Sequence, residues 1–425
     1  MPKIIWHKER IKTAVIILLL ISAVALAGRS GYYSAILEKF SSRAPNASIS
    51  SSATATAAAE GFAVYRPLSM AINFESGTHH GVQYSAAALE GAYARFSGTF
   101  GEALGSAREK MQVSEMQWRA ALNEFGVYFL FPCEIPVSLL ASFLGTDAGA
   151  EIKDVSASQF VISCGSEDVR ILFQSGDGDF YTCKTDVSLS AILANIELYE
   201  ENGAVFSYEM PEYSNSYAYT LIPEALGNVQ KLAAQPAFSE DFDYSSIFSG
   251  FGINTKVMTS YTEADGVQVF IEGDKNLRIL PDGTVFFTSS PTNASSSQNS
   301  MEDALSIALR LAGGTIGANS GAASPMLSGI SYDEAKGQWT VTFHYVAEGI
   351  LVSLYGQPEA AKIVISASEI LRAELNFLSF SLGEPERSIL PVSSAVAIAA
   401  SKKGYLRLVY AEDAAGAFSC GWVVN

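Results

Sequence analysis

The sequence predicts an α+β fold: one N-terminal membrane helix, then extracytoplasmic domains in which helices pack on antiparallel sheets. Three observations predict it. A basic flank (Lys3, Lys8, Arg10, Lys12) precedes an uncharged apolar run at residues 13–27. Short apolar or alternating runs bounded by turn residues recur from residue 126 onward, the signature of strands. Between them lie stretches with apolar residues three and four apart, as at 85–96 and 301–311, the signature of amphipathic helices.

Length and composition fit this reading. At 425 residues and 48% hydrophobic content, the chain can bury large cores in two or three domains. A net charge of -17 opposes binding to nucleic acid and to anionic lipid headgroups.

Residues 1–37 form the basic flank and membrane segment, marked by Thr13, Ile16, Leu19, Val24 and Ala27. Positive charge stays on the cytoplasmic side, so the rest of the chain is placed outside. The run is shorter than the roughly 20 apolar residues of a spanning helix, and Ala25-Leu26-Ala27 offers a signal-peptidase site before Gly28. Two readings therefore stand: a single-pass anchor in the cell membrane, extended by Ile4, Ile5 and Trp6 at one interface and by Tyr32, Tyr33 and Ile36 at the other, or secretion after cleavage between Ala27 and Gly28. Residues 38–60, rich in Ser, Ala, Thr and Asn, read as a flexible stalk, because they carry too little apolar surface to offset the entropy of ordering.

Residues 61–200 read as an N-terminal α+β domain. An extended apolar piece leads to a hydrophilic turn at 76–80, then a helix at 85–96, a second at 102–107 and a third at 114–125, which Ser114 and Gln117 cap reciprocally. A buried strand at 126–132 ends at Pro132, and Ile135-Pro136 starts a helix closed by Gly145. Residues 159–185 read as a three-stranded meander, followed by a helix at 188–200. Residues 201–290 read as a middle α+β domain, with strands at 204–208 and 217–222, a short helix at 241–251, and two hairpins turning at Asp274-Lys275-Asn276 and Pro281-Asp282-Gly283. After a linker at 291–300, residues 301–425 read as two units that each set an Ala-rich helix ahead of antiparallel strands. The segment 304–308 (Ala-Leu-Ser-Ile-Ala) is echoed at 395–399 (Ala-Val-Ala-Ile-Ala).

No catalytic, cofactor-binding or metal-binding set emerges. The chain has no H-E-x-x-H, no G-x-S-x-G, no Walker loop and no S-x-x-K. His79-His80 falls in the expected turn, where a surface pair is inert, and His344 falls in an alternating strand, where a structural role is the ordinary one. The loop at 174–179 has two aspartates but lacks the spacing and terminal Glu of a calcium loop, so it reads as a hairpin turn. Cys133, Cys164, Cys183 and Cys420 show no C-x-x-C spacing; Cys164 and Cys183 are either bridged neighbours or buried thiols. Arg278 and Glu272 read as a cross-strand surface pair.

The strand-turn-strand Val269-Phe270-Ile271-Glu272 to Leu277-Arg278-Ile279, with Pro281-Asp282-Gly283-Thr284-Val285, carries a resemblance. So do Trp339-Thr340-Val341-Thr342-Phe343-His344-Tyr345 and Gly421-Trp422-Val423-Val424. Together with the N-terminal topology, the pattern from about Phe62 onward resembles the YycH/YycI family, single-pass regulators of Gram-positive bacteria that attach to the sensor kinase of the essential cell-wall two-component system. The resemblance implies a protein that is not an enzyme and acts by protein-protein interaction. Its expected partners are a membrane sensor histidine kinase and a related accessory protein, and no cofactor is implied. The other readings open at this level are an envelope binding or inhibitory module, secreted or anchored, and a hydrolase built from dispersed carboxylates.

Overall fold

Alternation along the strands determines which side chains meet, and in the first sheet both sets of alternating positions are covered. The computed structural model describes residues 66–165, 168–211, 217–239, 242–290, 299–357, 359–399 and 404–424, which belong to one compact unit. The membrane segment marked by Thr13 to Ala27, the stalk and most of the linker lie outside the described residues. Among the described residues no helix is long and apolar enough to cross a membrane.

Seven antiparallel strands make the first sheet: β1 (Ser69–Asn73), β2 (His79–Gln83), β3 (Arg108–Val113), β4 (Gly126–Pro136), β5 (Ser156–Cys164), β6 (Val169–Ser175) and β7 (Phe180–Lys184), in the order β2-β1-β4-β5-β6-β7-β3. Val127, Phe129, Phe160 and Ile162 turn to one face, against Phe96, Phe100 and Leu104 of helix α1 (Ala86–Ser106). Phe100 stacks on Phe129 with ring centroids 4.5 Å apart. The intervening Ala71, Tyr128, Val161 and Leu172 face the other way, against Trp118 and Leu122 of helix α2 (Glu115–Leu122) and against Phe206 and Tyr219. Burial on both faces is why residues 126–131 and 160–164 read as nearly continuous apolar runs. Each fully buried Phe contributes about 1.5–3 kcal/mol.

Helix α1 unites what the sequence divides into two helices. It begins at Ser85, whose hydroxyl accepts the Ala88 N–H, and runs for 21 residues through Gly91, Gly98, Gly101 and Gly105. Glycines weaken helix propensity, but here close packing accounts for one of them: a Cβ on Gly105 would lie 2.5 Å from Thr146 Oγ1. The Ser114–Gln117 capping box on α2 is present. Helix α3 (Val137–Phe143) follows Pro136, and α4 (Leu189–Ile196) packs beside α1. The meander at 159–185 is β5-β6-β7, and its second turn is a hairpin in which Asp177 accepts the Ser175 hydroxyl.

A two-stranded ladder, β8 (Val205–Phe206) with β9 (Leu221–Ile222), covers part of the first sheet and is much shorter than the strands expected at 204–208 and 217–222. The second sheet holds eleven strands. In chain order they are β11 (Thr259–Thr262), β12 (Gln268–Glu272), β13 (Lys275–Ile279), β14 (Thr284–Thr288), β15 (Ala323–Asp333), β16 (Gln338–Ala347), β17 (Ile350–Ser353), β18 (Ala361–Ser366), β19 (Glu369–Asn376), β21 (Leu406–Glu412) and β22 (Phe418–Val424). Their spatial order is β11-β12-β13-β14-β19-β18-β16-β17-β21-β22, with β15 also on β16. Strands from 259–288 thus share one sheet with strands from 323–376 and 406–424. Helix α5 (Ser245–Gly250) packs near the end of α6 (Met301–Ala312). Ala304, Leu305 and Ala308 of α6 lie in the core with Val341, Phe343 and Ile363. Helix α7 (Val392–Ala399) sets Val392, Val396 and Ala399 beside Leu406 and Ile222. Both Ala-rich helices precede strands as expected, yet those strands join one sheet through the parallel pair β17–β21.

Several local expectations are corrected. The run 370–380 divides at Phe377 into β19 and β20 (Leu378–Pro385), and β20 leaves the sheet to pair with β10 (Gln230–Pro236). The β12–β13 turn is Gly273-Asp274, since Glu272 already pairs with Lys275. The Pro281-Asp282-Gly283 turn stands, closed by Gly283 N–H to Leu280 O at 3.1 Å. Arg278 and Glu272 do not pair. Register places Arg278 opposite Val269, and its guanidinium reaches Glu263 at 2.7 Å, while Glu272 accepts the Asn254 N–H at 2.8 Å. Cys164 and Cys183 lie on β5 and β7 with β6 between them, opposite Val169 and Ile171, and both are free thiols. Two strand spacings amount to about 10 Å, beyond the reach of a disulfide.

Candidate functional site

The two sheets meet where each is locally irregular, and a cleft of about 310 Å³ opens there. The first irregularity is a bulge in β4. Between Leu130, opposite Gln159, and Ile135, opposite Ala157, β4 spends four residues (Phe131, Pro132, Cys133, Glu134) against one, Ser158, on β5. Proline donates nothing to a ladder and so is confined to edges and bulges. The unpaired stretch bends away from the sheet and supplies one wall of the cleft.

The second irregularity is the β16–β17 hairpin. Its turn residues, Glu348 at φ 50° and Gly349 at φ 74°, both occupy the left-handed region, as a type I′ turn requires. The hairpin tip abuts the start of α1: a Cβ on Gly349 would lie 2.9 Å from Leu89 Cδ1 and 3.1 Å from Ser85 N. Tyr84, just before Ser85, is itself held at φ 56°, a conformation that costs a non-glycine residue about 1–2 kcal/mol. Its ring enters the cleft wall, where its hydroxyl accepts the Leu408 N–H at 3.2 Å.

The third wall is the start of β21, where Arg407 sits between the buried Leu406 and Leu408. Burial lowers the Arg407 pKa, opposed by the Tyr84 and Tyr405 hydroxyls. Burial also pushes Tyr84 up to about 12 and the Cys133 thiol to about 12, the latter helped by Glu134. Tyr405 is raised by burial and then by Tyr217.

A hydrogen-bonded chain fixes one rim. Tyr128 Oη donates to Gln159 Oε1 at 3.0 Å, Gln159 Nε2 donates to Gln174 Oε1 at 2.9 Å and to Tyr405 Oη at 3.3 Å, and Tyr217 Oη donates to Gln174 Oε1 at 2.7 Å. The Tyr217 and Tyr405 rings lie 4.3 Å apart. Three strands of the first sheet are thereby joined to the segment that leads into β21.

His79 and His80 lie in β2 and not in a turn. His79 is buried: Nδ1 is 2.9 Å from Asn73 Oδ1 and Nε2 is 2.8 Å from Glu209 Oε1, while Glu209 Oε2 accepts the Phe206 N–H at 2.8 Å. Both ring nitrogens are engaged, so His79 acts as a clamp between β1, β2 and the β8 segment. His80 lies 2.5 Å from Glu200 O. His344 sits in β16 opposite Met326. Among the described residues, no three His, Cys, Asp or Glu side chains gather as metal ligands would. Sequence reasoning passed over Tyr84, Tyr405 and Arg407. One signal was available, an arginine within an otherwise apolar strand start at 405–410.

Fold and site define an α+β protein of two sheets joined across a ligand-sized cleft, and the fold is YycH-like. The solved structure that supports this is the crystal structure of YycH from Bacillus subtilis, which superposes with a TM-score of 0.53 at 12% sequence identity, covering 86% of this chain and 95% of that one. No protein-family model and no curated protein matches the sequence.

Proposed function

We propose that the chain is a membrane-anchored extracytoplasmic regulatory protein, not an enzyme, that binds a cell-envelope sensor histidine kinase and modulates it as part of a two-component system controlling the cell wall. The observation that carries the reading is the YycH-like fold across 86% of the chain. The basic flank and apolar run at 13–27 support single-pass anchoring in the plane of such a partner. A related accessory protein is the second expected partner. Regulation then requires that the protein bind one state of the kinase better than the other, since equal affinity shifts nothing.

The test is crosslinking of the full chain in intact cells, paired with deletion of its gene. A histidine kinase is recovered and expression of wall-metabolism genes changes if the proposal holds; neither happening overturns it. N-terminal sequencing of the mature chain tests the anchor: a start at Met1 supports it, and a start at Gly28 replaces it with secretion.

A further inference from the structure

We propose that the cleft between the two sheets binds a small uncharged amphiphile, an aliphatic chain ending in a hydroxyl that meets Thr220. The cleft of about 310 Å³ lies at the lower end of the volumes of small-molecule sites, about 300–1,000 Å³. At ~30 Å³ per water-sized group it has room for roughly ten non-hydrogen atoms, the size of nonan-1-ol.

The charges around the cleft disfavour ions of either sign. Arg407 is the cation in the lining, but it already has a partner within the protein, which a carboxylate would have to displace. Glu134, the exposed carboxylate of the same lining, repels a second one. A cationic ligand would face Arg407 and give up its hydration among leucines. A charge taken out of water with no partner of its own costs more than the apolar contacts return.

The walls set the body of the ligand. Leu68, Leu130, Phe131, Leu351 and Leu408 line the cleft with aliphatic and phenyl surface, against which each buried methylene strengthens binding. One hydroxyl sets the head. Thr220, 4% exposed, also lines the cleft, and its Oγ1 has no hydrogen-bond partner among the described residues. Its backbone is already used: the Thr220 N–H donates to Tyr217 O at 2.9 Å, and its carbonyl accepts the Ser207 N–H at 3.0 Å. An orphaned buried hydroxyl is destabilising, and a ligand hydroxyl, which both donates and accepts, relieves it. The oxygen is covered by its surroundings. Rotation about χ1, which exchanges the places of hydroxyl and methyl, turns it to the ligand.

The walls come from segments remote in the chain, 68–69, 83–84, 130–134, 220–221, 349–351 and 405–408, so a bound ligand touches both sheets. The inference goes beyond the regulatory reading and does not rest on it, because binding is measured without a kinase.

The experiment uses the full chain in phosphatidylcholine nanodiscs and a nonan-1-ol analogue with a diazirine on its chain, with crosslinks mapped by mass spectrometry. Labelling is expected to saturate and to fall on peptides carrying residues 130–134 and 405–408. At equal uptake by the nanodiscs, nonan-1-ol should compete at least tenfold better than nonanoate or nonyltrimethylammonium. It should compete about threefold to tenfold better than decane, the margin of one hydrogen bond. T220V should erase the margin over decane and leave the thermal transition no lower than that of wild type, since it replaces an unsatisfied hydroxyl by a methyl group. L351W, which fills the cleft, should abolish labelling. The charge series on the wild-type chain decides the matter even if both variants fail to fold. A long-chain monoacylglycerol doped into the nanodiscs separates the sources: displacement assigns the site to a lipid bearing the same hydroxyl, and no displacement assigns it to a free alcohol. Non-saturating labelling or labelling elsewhere overturns the site. Equal competition by nonanoate or the ammonium overturns the choice of an uncharged ligand, and equal competition by decane on the wild-type chain, or a lowered transition in T220V, overturns the contact with Thr220.

Discussion

The Tyr84 hydroxyl accepts the backbone N–H of Leu408 at 3.2 Å, across 324 positions of chain. One contact thereby ties the start of α1, in the first sheet's half, to β21 in the second. Removing it by Tyr84→Phe keeps the ring and its edge-to-face approach to Trp422, with centroids 6.0 Å apart, but removes the acceptor. A backbone donor left unsatisfied costs about 1–3 kcal/mol. The urea midpoint should fall accordingly with an unchanged slope, and a variant as stable as wild type would show that water replaces the hydroxyl at no cost.

Gly349→Ala probes the same seam from the opposite side. The added methyl meets Leu89 and Ser85, and the backbone is held at φ 74°. A loss of about 1–3 kcal/mol is expected. Gly91→Ala in α1, where a Cβ meets nothing within 4 Å, should instead stabilise by about 0.5–1 kcal/mol. Thermal unfolding of the two variants checks the opposite signs.

Trp118 tests the second face of the first sheet. It is fully buried, with its ring centroid 5.0 Å from that of Phe180 and 5.8 Å from that of Tyr219, but its indole N–H has no hydrogen-bond partner among the described residues. Trp118→Ala should cost about 3–5 kcal/mol through the cavity it leaves. Trp118→Phe keeps much of the packing and removes the unsatisfied donor, so its cost should be below about 2 kcal/mol. Equal losses in denaturant titrations would show that a phenyl ring does not restore the packing of the indole.

Alkaline pH should weaken the fold. Burial raises Cys133, Cys164 and Cys420 to about 12 and Cys183 to about 11, from 9.0, and Tyr84 to about 12, from 10.0. An acid whose folded pKa exceeds its unfolded one stabilises fully below the unfolded value and loses that stabilisation as pH rises toward the folded value. The urea midpoint should therefore hold to about pH 9 and decline above it. In the same preparation, the three buried thiols, Cys164, Cys183 and Cys420, should resist a thiol reagent at pH 8 until the chain is denatured, because the reactive thiolate is scarce and covered, whereas Cys133 in the cleft wall should react first.

The legible parts of the fold are those written in local chemistry. Pro281-Asp282-Gly283 specifies its turn, and Ser114 with Gln117 specifies a helix start, whatever surrounds them. Strand β3 was hidden because it is a charged edge strand, Arg-Glu-Lys-Met-Gln-Val, with half-exposed Met111. The continuity of α1 is not legible locally because its four glycines lower helix propensity, whereas packing at Gly105 rewards the missing side chain. His79 was misplaced because a polar pair between Thr78 and Gly81 resembles a surface turn, and its partner Glu209 lies 130 residues away. The cleft was least legible, since Pro132 and Arg407 are unremarkable until the β4 bulge and the β17–β21 pairing bring them together.

That parallel pairing has a consequence for biosynthesis. As the chain emerges from the ribosome, the first sheet can assemble from antiparallel neighbours within residues 69–184, but the wall carrying Arg407 arrives only after more than 200 further residues. Contacts of such long sequence separation form slowly, and the apolar walls around Leu130 and Leu351 stay uncovered until they form. Nascent chains halted before residue 404 should accordingly be retained by chaperones longer than chains that extend through 424.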